Sequence, residues 1–143
     1  MEQFLAFLQK NPLHLVLFGT AVITGGMLVW PLVNRLIRPE HEISPVEAVQ
    51  LINRRDAVVL DVRDAAEYAS GHITNARHIP EAQLVERMKE LEKFKARPII
   101  VTGRAGGRAA SAASVLRKNG FGEVFALGGG IGAWQQASMP LEK

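Results

Sequence analysis

The chain contains no cysteine among its 143 residues. That absence excludes disulfides, cysteine-ligated zinc and any chemistry that runs through a thiolate. It leaves the compartment open, because either redox environment tolerates a cysteine-free chain. Charge is missing as well, but locally: no Asp, Glu, Lys or Arg lies between Lys10 and Arg35. Overall, 17 basic and 14 acidic side chains leave a formal net charge of +3, too small an excess to point to nucleic acid. There is no internal repeat, no low-complexity tract and no G-x-x-x-x-G-K-S/T phosphate loop. Hydrophobic residues make up 48% and charged residues 22%, which excludes a disordered chain.

The apolar residues are concentrated in "LHLVLFGTAVITGGMLVWPLV", Leu13 to Val33. As a helix this stretch rises about 31 Å at ~1.5 Å per residue, matching a hydrocarbon core of roughly 30 Å. A cleaved signal peptide would start basic, have a shorter apolar core and end in an A-x-A-like site. Here Glu2 precedes the first Lys and no such site follows Val33. A buried core helix is seldom apolar all round over this length. The segment therefore reads as a membrane anchor. Gly25-Gly26 suits a membrane span better than a soluble helix. Trp30 and His14 lie near opposite ends, within reach of the interfaces. Ala21 and Gly25 have the small-xxx-small spacing that packs helices, although small residues fall there by chance more often. Arg35 and Arg38 outweigh Lys10, which favours a cytoplasmic C-terminal domain on a single-pass protein. The basic flank can also touch anionic lipid. The expected division is an anchor over 1–36, a polar linker "IRPEHEI" over 37–43 and one domain over 44–143, about a hundred residues and enough for one modest core.

Within that domain, Ser44-Pro45-Val46-Glu47 is a capping box with proline at the first helical position, predicting a helix to about Asn53. "AVVLD", Ala57 to Asp61, reads as a buried strand. Asp64 to Glu67 resembles a second capping box, opening a short helix that ends at Gly71. "ARHIP" is a short strand. Glu81 to about Lys95, with Leu84, Val85, Met88 and Leu91 at helical spacing, predicts an amphipathic helix. "PIIVT" is a strand, Arg108 to Asn119 a helix, "EVFAL" a strand and Gly130 to about Ser138 a last helix. Strands alternating with helices imply a parallel sheet covered on both faces, with the ligand site at the carboxyl ends of the strands.

One such end carries Gly103-Arg104-Ala105-Gly106-Gly107-Arg108 between a strand and a helix. Glycines can turn successive backbone N–H groups inward, and the helix start adds positive potential. An anion such as a persulfide, thiosulfate, phosphate or carboxylate suits that layout. A tight turn with solvent-facing arginines suits it equally. The loop itself holds no Cys, Ser, His, Asp or Glu. "LGGGIGAW" contains G-x-G-x-x-A at Gly128, Gly130 and Ala133, but only ten residues follow, too few for a dinucleotide fold. Close packing of a helix against the sheet is the better reading. Asp61, Arg63, Asp64 and Glu67 can be read as acid–base equipment, or, preferably, as capping plus a salt bridge. His72 and His78 lack metal-ligand spacing and read as surface or core-edge histidines. Neither a metal nor a cofactor is expected.

These motifs together resemble a family. "DVRDAAEYASGHITNARHIP", Asp61 to Pro80, is similar to the D-x-R-x-x-x-E-Y/F-x-x-G-H-I-x-x-A-x-x-I-P of rhodanese-like domains, matching Asp61, Arg63, Glu67, Gly71 and His72. "LGGGIGAWQQASMP", Leu127 to Pro140, is similar to their terminal L-x-G-G-x-x-x-W-x-x-x-x-x-P, matching Gly128, Gly129 and Trp134. The loop between stands where the family has its active-site C-x-x-G-x-R. The resemblance covers about Ile43 to Leu141 and implies a small α/β domain with a central parallel sheet. It also implies that Gly103 stands where active sulfurtransferases carry a persulfide on cysteine, while Gly106 and Arg108 match the rest of the pattern. A thiolate is the nucleophile in that chemistry. Thr102, next to it, cannot hold a stable persulfide on its hydroxyl. Arsenate-reductase-like and dual-specificity phosphatase relatives need the same cysteine.

The expectation is a catalytically silent rhodanese-like domain, anchored at a bacterial inner membrane and acting as a binding or scaffold module. Its partners would be the lipid bilayer and other membrane or sulfur-transfer proteins, with an anionic ligand possible in the loop. Two further readings stand beside it: an accessory component of sulfur transfer whose partner supplies the thiol, and a partner in membrane-protein assembly acting mainly through its anchor.

Overall fold

A computed structural model describes residues 12–37, 41–104 and 107–143, with side chains omitted at 34–37. The chain divides near residue 39 into two compact units. The described residues of the first form one helix, α1 (Pro12–Ile37). Its 22-residue stretch Pro12–Val33 has a mean hydropathy of 1.9, long and apolar enough to cross a membrane. The two threonines in it bond back to the helix, Thr20 Oγ1 donating to Leu17 O at 2.9 Å and Thr24 Oγ1 to Thr20 O at 2.7 Å. Such bonds hide the hydroxyls from an apolar medium.

The second unit is an α/β domain with a central parallel sheet, as the alternation of elements predicts. In chain order it comprises β1 (Glu42–Ile43), α2 (Pro45–Arg55), β2 (Val58–Asp61), α3 (Ala65–Ser70), β3 (His72–Ile73), β4 (Arg77–His78), β5 (Ile99–Thr102), α4 (Gly107–Lys118), β6 (Val124–Leu127), α5 (Gly130–Gln136) and β7 (Leu141–Glu142). The main sheet has the order β1-β6-β5-β2-β4, every pair parallel, with Val58↔Ile99 and Ile99↔Val124 in register. β3 and β7 form a separate antiparallel pair.

Period-two alternation assigns the core. Val58, Leu60, Ile99 and Val101 face one side and pack on Ala109, Ala112, Ala113 and Leu116 of α4. Val59 and Ile100 face the other, against Ala48 of α2 and Ile131 and Trp134 of α5. The small residues of α4 let it lie close to the sheet. The first capping box forms as read: Ser44 N donates to Glu47 Oε2 at 2.7 Å, and Glu47 N to Ser44 Oγ at 3.3 Å.

Three expectations need correction. The amphipathic helix over 81–95 is instead two 3₁₀ segments, Glu81–Gln83 and Met88–Phe94. Met88, Leu91 and Phe94 are three apart and therefore share one face of a three-residue turn, whereas Val85, which an α-helix would bury, is 71% exposed. The linker over 37–43 ends in a strand, because Glu42 and Ile43 pair with Ala126 and Leu127 along the edge of β6. Asp64 occupies the N-cap of α3 but makes no side-chain capping bond. Its supposed partner Glu67 turns instead to Arg104, at 3.7 Å.

Candidate functional site

The carboxyl ends of β2 and β5 lie side by side, Asp61 opposite Thr102. Asp61 is fully buried, and Arg63, 5% exposed, folds back onto it. Arg63 Nε donates to Oδ1 and Oδ2 of Asp61 at 3.0 Å each, Nη2 donates to Oδ2 at 2.7 Å, and the Arg63 backbone N–H to Oδ1 at 3.0 Å. A second bond from Nη2 reaches Gly71 O at 2.7 Å. A buried ion pair survives desolvation only with this degree of hydrogen bonding. Both carboxylate oxygens are committed, so Asp61 is a brace for the turn after β2 and not an acid or base. The salt-bridge reading of this cluster holds and the capping reading does not.

The two histidines complete the brace. The rings of His72 and His78 stack on Tyr68 at 3.8 Å and 4.4 Å between centroids, nearly parallel. Two rings so close cannot share one face, so Tyr68 is sandwiched between them. His72 Nδ1 lies 3.0 Å from Tyr68 O and His78 Nε2 2.7 Å from Arg63 O. A carbonyl only accepts, so those nitrogens carry the protons. Burial, reinforced by the charges of Asp61 and Glu142, raises the Tyr68 phenol above its ordinary value, and its OH donates to Ala76 O at 2.9 Å. Among the described residues no group of His, Cys, Asp and Glu could hold a metal ion.

Gly103 follows Thr102 and is buried, while Arg104 is exposed. Ala105 and Gly106 lie outside the described residues. Gly107 and Arg108 open α4. A Cβ on Gly103 would meet Ala109 N at 3.4 Å, Arg108 Cβ at 3.6 Å and Ala109 Cβ at 3.7 Å, ordinary van der Waals distances. The position therefore has room for a side chain. Its neighbour across the site does not. Gly130, at φ +57°, sits against the loop so closely that a Cβ would run into the Gly103 carbonyl and stand 2.9 Å from that of Arg104. Gly129, at φ +72°, is equally confined by Ala133. Ile131 N donates to Gly103 O at 3.1 Å, and Gly128 N to Ile43 O at 2.8 Å. Trp134, buried, anchors the end of α5 through Nε1 to Pro140 O at 3.0 Å. The glycine run was expected to pack a helix against the sheet; Gly130 packs instead on the loop carbonyls, Gly129 on Ala133 of its own helix and Gly128 beside the Glu42 side chain.

The two loop arginines are shared with carboxylates, Arg104 with Glu67 at 3.7 Å and Arg108 with Glu81 at 4.0 Å. These contacts are long and exposed, so they leave both cations available to an anion. Beside the loop a cavity of about 370 Å³ is lined by Arg63, Glu67, Ser70, Arg104, Gly132 and Gln135 among others. Ser70 and Gln135 carry no sequence signal, since they reach the cavity only through the packing of α3 and α5. Thr102 Oγ1 is buried without a hydrogen-bond partner among the described residues. Polar groups converge here, but no thiol does and the one hydroxyl at the base of the loop is enclosed.

The Rhodanese-like domain family model matches residues 44–137. YibN of Escherichia coli strain K12, itself uncharacterised, is 28% identical over 142 residues, covering 99% of this chain and 97% of that one, so the similarity runs through the N-terminal apolar segment. The thiosulfate sulfurtransferase GlpE of Coxiella burnetii is 39% identical over 94 residues, 66% of this chain and 86% of that protein. The crystal structure of a rhodanese-related protein from Thermoplasma volcanium superposes with a TM-score of 0.65 at 29% identity, covering 71% of this chain and 97% of that one. With the braced turn and the glycine clamp in place and the family model matched over residues 44–137, the chain belongs to the rhodanese-like domain family, as a member without a cysteine.

Proposed function

We propose that this protein is a membrane-anchored, catalytically silent rhodanese-like domain, a binding module on the cytoplasmic face of a bacterial inner membrane. The observation that carries the reading is a complete frame around a missing group. The Asp61–Arg63 pair braces the turn after β2, Gly130 packs on the carbonyls of Gly103 and Arg104, and Gly103 has space for a side chain it does not have. What the loop offers is two arginines and the start of a twelve-residue helix, a setting for a carboxylate, a chain terminus or a persulfide borne by a partner. The curated sulfurtransferase relatives carry out a reaction that needs a thiolate, and this chain supplies none. Thiosulfate-to-cyanide sulfur transfer by the purified chain is expected to stay at the uncatalysed rate; clear turnover would overturn the reading. Crosslinking from membranes, with Arg104→Ala and Arg108→Ala as the comparison, is expected to capture a partner that the double variant loses.

A second reading is supported by the cavity beside Arg104. At about 370 Å³ it admits a small organic anion or the side chain of a partner. On that reading the domain binds the sulfur donor while a cysteine of the partner does the chemistry. Co-purification of a cysteine-bearing sulfurtransferase would favour it. An assembly role through the anchor alone predicts that deleting residues 1–38 abolishes every partner, whatever the loop contains.

A further inference from the structure

We propose that the amino edge of the parallel sheet is a lipid-facing surface, a basic face that rests on an anionic bilayer and turns the Gly103–Arg108 loop away from it. The inference rests on the reading of α1 as a membrane anchor. Its own basis is the distribution of charge in the α/β domain.

In a parallel sheet every strand starts at the same edge. Here backbone bonds tie those starts together: Val58 N donates to Pro98 O at 2.9 Å, Ile99 N to Glu123 O at 2.9 Å and Ala126 N to His41 O at 2.8 Å. The returning helices end there too, and their last turns are basic, Arg54 and Arg55 in α2, Arg117 and Lys118 in α4. Cations at helix C-termini suit the helix dipole. The segment leading into β5 adds Lys93, Lys95 and Arg97, and Arg77 opens β4. Contacts join these groups into one face. The ring of Phe94, itself buried, has Arg77 at 4.5 Å, Lys93 at 5.1 Å and Arg97 at 5.2 Å from its centroid. Stacking on the ring fixes the cations in place without neutralising them.

Their carboxylate partners are few. Glu123 pairs with Arg55 at 2.6 Å, Asp56 with Arg97 at 3.1 Å and Glu92 with Lys95 at 3.3 Å. Glu90 lies within electrostatic reach of Arg77 but is committed to Arg87 at 2.6 Å. Among the described residues, Arg54, Arg77, Lys93, Arg117 and Lys118 have no carboxylate within ion-pair distance. At the carboxyl edge, by contrast, Arg63, Arg104 and Arg108 each have one. The domain is therefore polarised along its strands, with the excess positive charge at the amino edge.

Charge selects the occupant. Helix α1 is long and apolar enough to hold the chain at a bilayer, and each Lys or Arg near an anionic surface strengthens association with it about fivefold.

The absence of cysteine makes the test direct. The full chain, as Ala96→Cys or Ala65→Cys, is labelled with a fluorophore and reconstituted into lipid nanodiscs containing a headgroup-attached quencher. Ala96 is exposed at the amino edge and Ala65 at the carboxyl edge. In discs with anionic lipid at low salt, the Ala96→Cys label is expected to be quenched at least twofold more than the Ala65→Cys label. The difference is expected to collapse in zwitterionic discs, in salt near 1 M, where screening shortens to about 3 Å, and in the chain carrying Arg54→Glu, Arg77→Glu and Lys118→Glu. Equal quenching at the two sites, or quenching indifferent to lipid charge, would overturn the proposal even if the charge-reversed chain failed to fold. A stronger, salt-sensitive gel shift of duplex DNA by the detergent-solubilised chain would also overturn it, assigning the face to nucleic acid. Alkaline extraction separates the premises: release of the chain from native membranes refutes the anchor, whereas a retained chain with indifferent labels refutes the basic face alone.

Discussion

Replacing Gly103 with cysteine puts a thiol where the frame leaves room for one, and the structure sets how that thiol should behave. The new Cβ has no contact closer than 3.4 Å, and the position is outside the left-handed region where a side chain would strain the backbone. Stability should therefore hold or rise by about 0.5 kcal/mol, since replacing glycine restricts the unfolded chain. The sulfur would stand at the start of α4, whose twelve residues contribute about 1 kcal/mol to an anion at a partly buried N-terminus. Arg104 and Arg108 add less than bare charges would, because both are largely exposed and each faces a carboxylate. We assign them together about 0.5–1 kcal/mol. The sum is about 1.5–2 kcal/mol in favour of the thiolate, which at about 1.4 kcal/mol per unit lowers the thiol from its usual ~8.5 to about 7. Near neutral pH the thiolate fraction then rises from under a tenth to about half.

The assay is the pH dependence of alkylation by iodoacetamide, whose rate follows the thiolate. Because the chain has no other cysteine, the signal belongs to one site. A midpoint near 7, with measurable thiosulfate-to-cyanide turnover, is the expected result. A midpoint at ~8.5, the value of free cysteine, would refute the claim that the loop is a preserved anion cradle. Adding Arg104→Ala and Arg108→Ala should return the midpoint part of the way, leaving the share due to the helix.

Gly130→Ala is expected to destabilise the domain by about 2–4 kcal/mol in urea unfolding, because it combines a positive φ with a collision against the loop carbonyls; Gly132→Ala, in the same helix with nothing within 4 Å of its Cβ, should instead leave stability unchanged or raise it by up to about 1 kcal/mol. Arg63→Met leaves Asp61 charged and buried and should cost about 3–5 kcal/mol, much of it recovered by the double variant with Asp61→Leu. Arg55 holds the Glu123 carboxyl below the usual glutamate value by a direct hydrogen bond and by its charge. The pair's stabilisation is therefore present above the unfolded glutamate value, about 4.3, and is lost as pH falls through the lower folded one. An NMR titration should find the Glu123 carboxyl titrating below an ordinary glutamate, and Arg55→Ala should erase the difference.

The fold was legible wherever one local rule decided the outcome. Ser44 and Glu47 formed their capping box, and the buried runs around Leu60 and Val101 became central strands, because caps and β-branched runs act within a few residues. The site was legible as an order of motifs, and Asp61, Gly128 and Gly129 were visible as positions. The salt bridge between Asp61 and Arg63 was legible too, because only two positions separate them. That Tyr68 lies between His72 and His78 emerges only once β3 and β4 are placed, and that Gly130 presses on Gly103 depends on segments far apart in the chain. The 3₁₀ run Met88–Phe94 was misread for a related reason. Apolar spacings of three fit an α-helix and a 3₁₀ helix alike, and only the burial of Phe94 with Val85 left outside separates them.

The two ends of the sheet answer different physical demands. At the carboxyl edge, buried charges and glycines at positive φ are costly unless they are fixed, and here the charges brace the turn after β2 while Gly130 packs on the Gly103 carbonyl. At the amino edge, the cations that end α2 and α4 suit the helix dipoles, and Arg77 and Lys93 stack on one aromatic ring with no carboxylate within ion-pair distance among the described residues. The proposed roles follow that division: a ligand for the loop that contains Gly103, and an anionic surface for the basic face. If the amino edge does meet lipid, the loop's orientation is set by the same charges. The charge-reversed chain should then keep its loop chemistry, including the lowered midpoint of the Gly103→Cys thiol, while the Ala65→Cys label at the carboxyl edge moves closer to the quencher. A change in the thiol midpoint on charge reversal would show that the two edges are coupled through the domain, and that the division drawn between them is wrong.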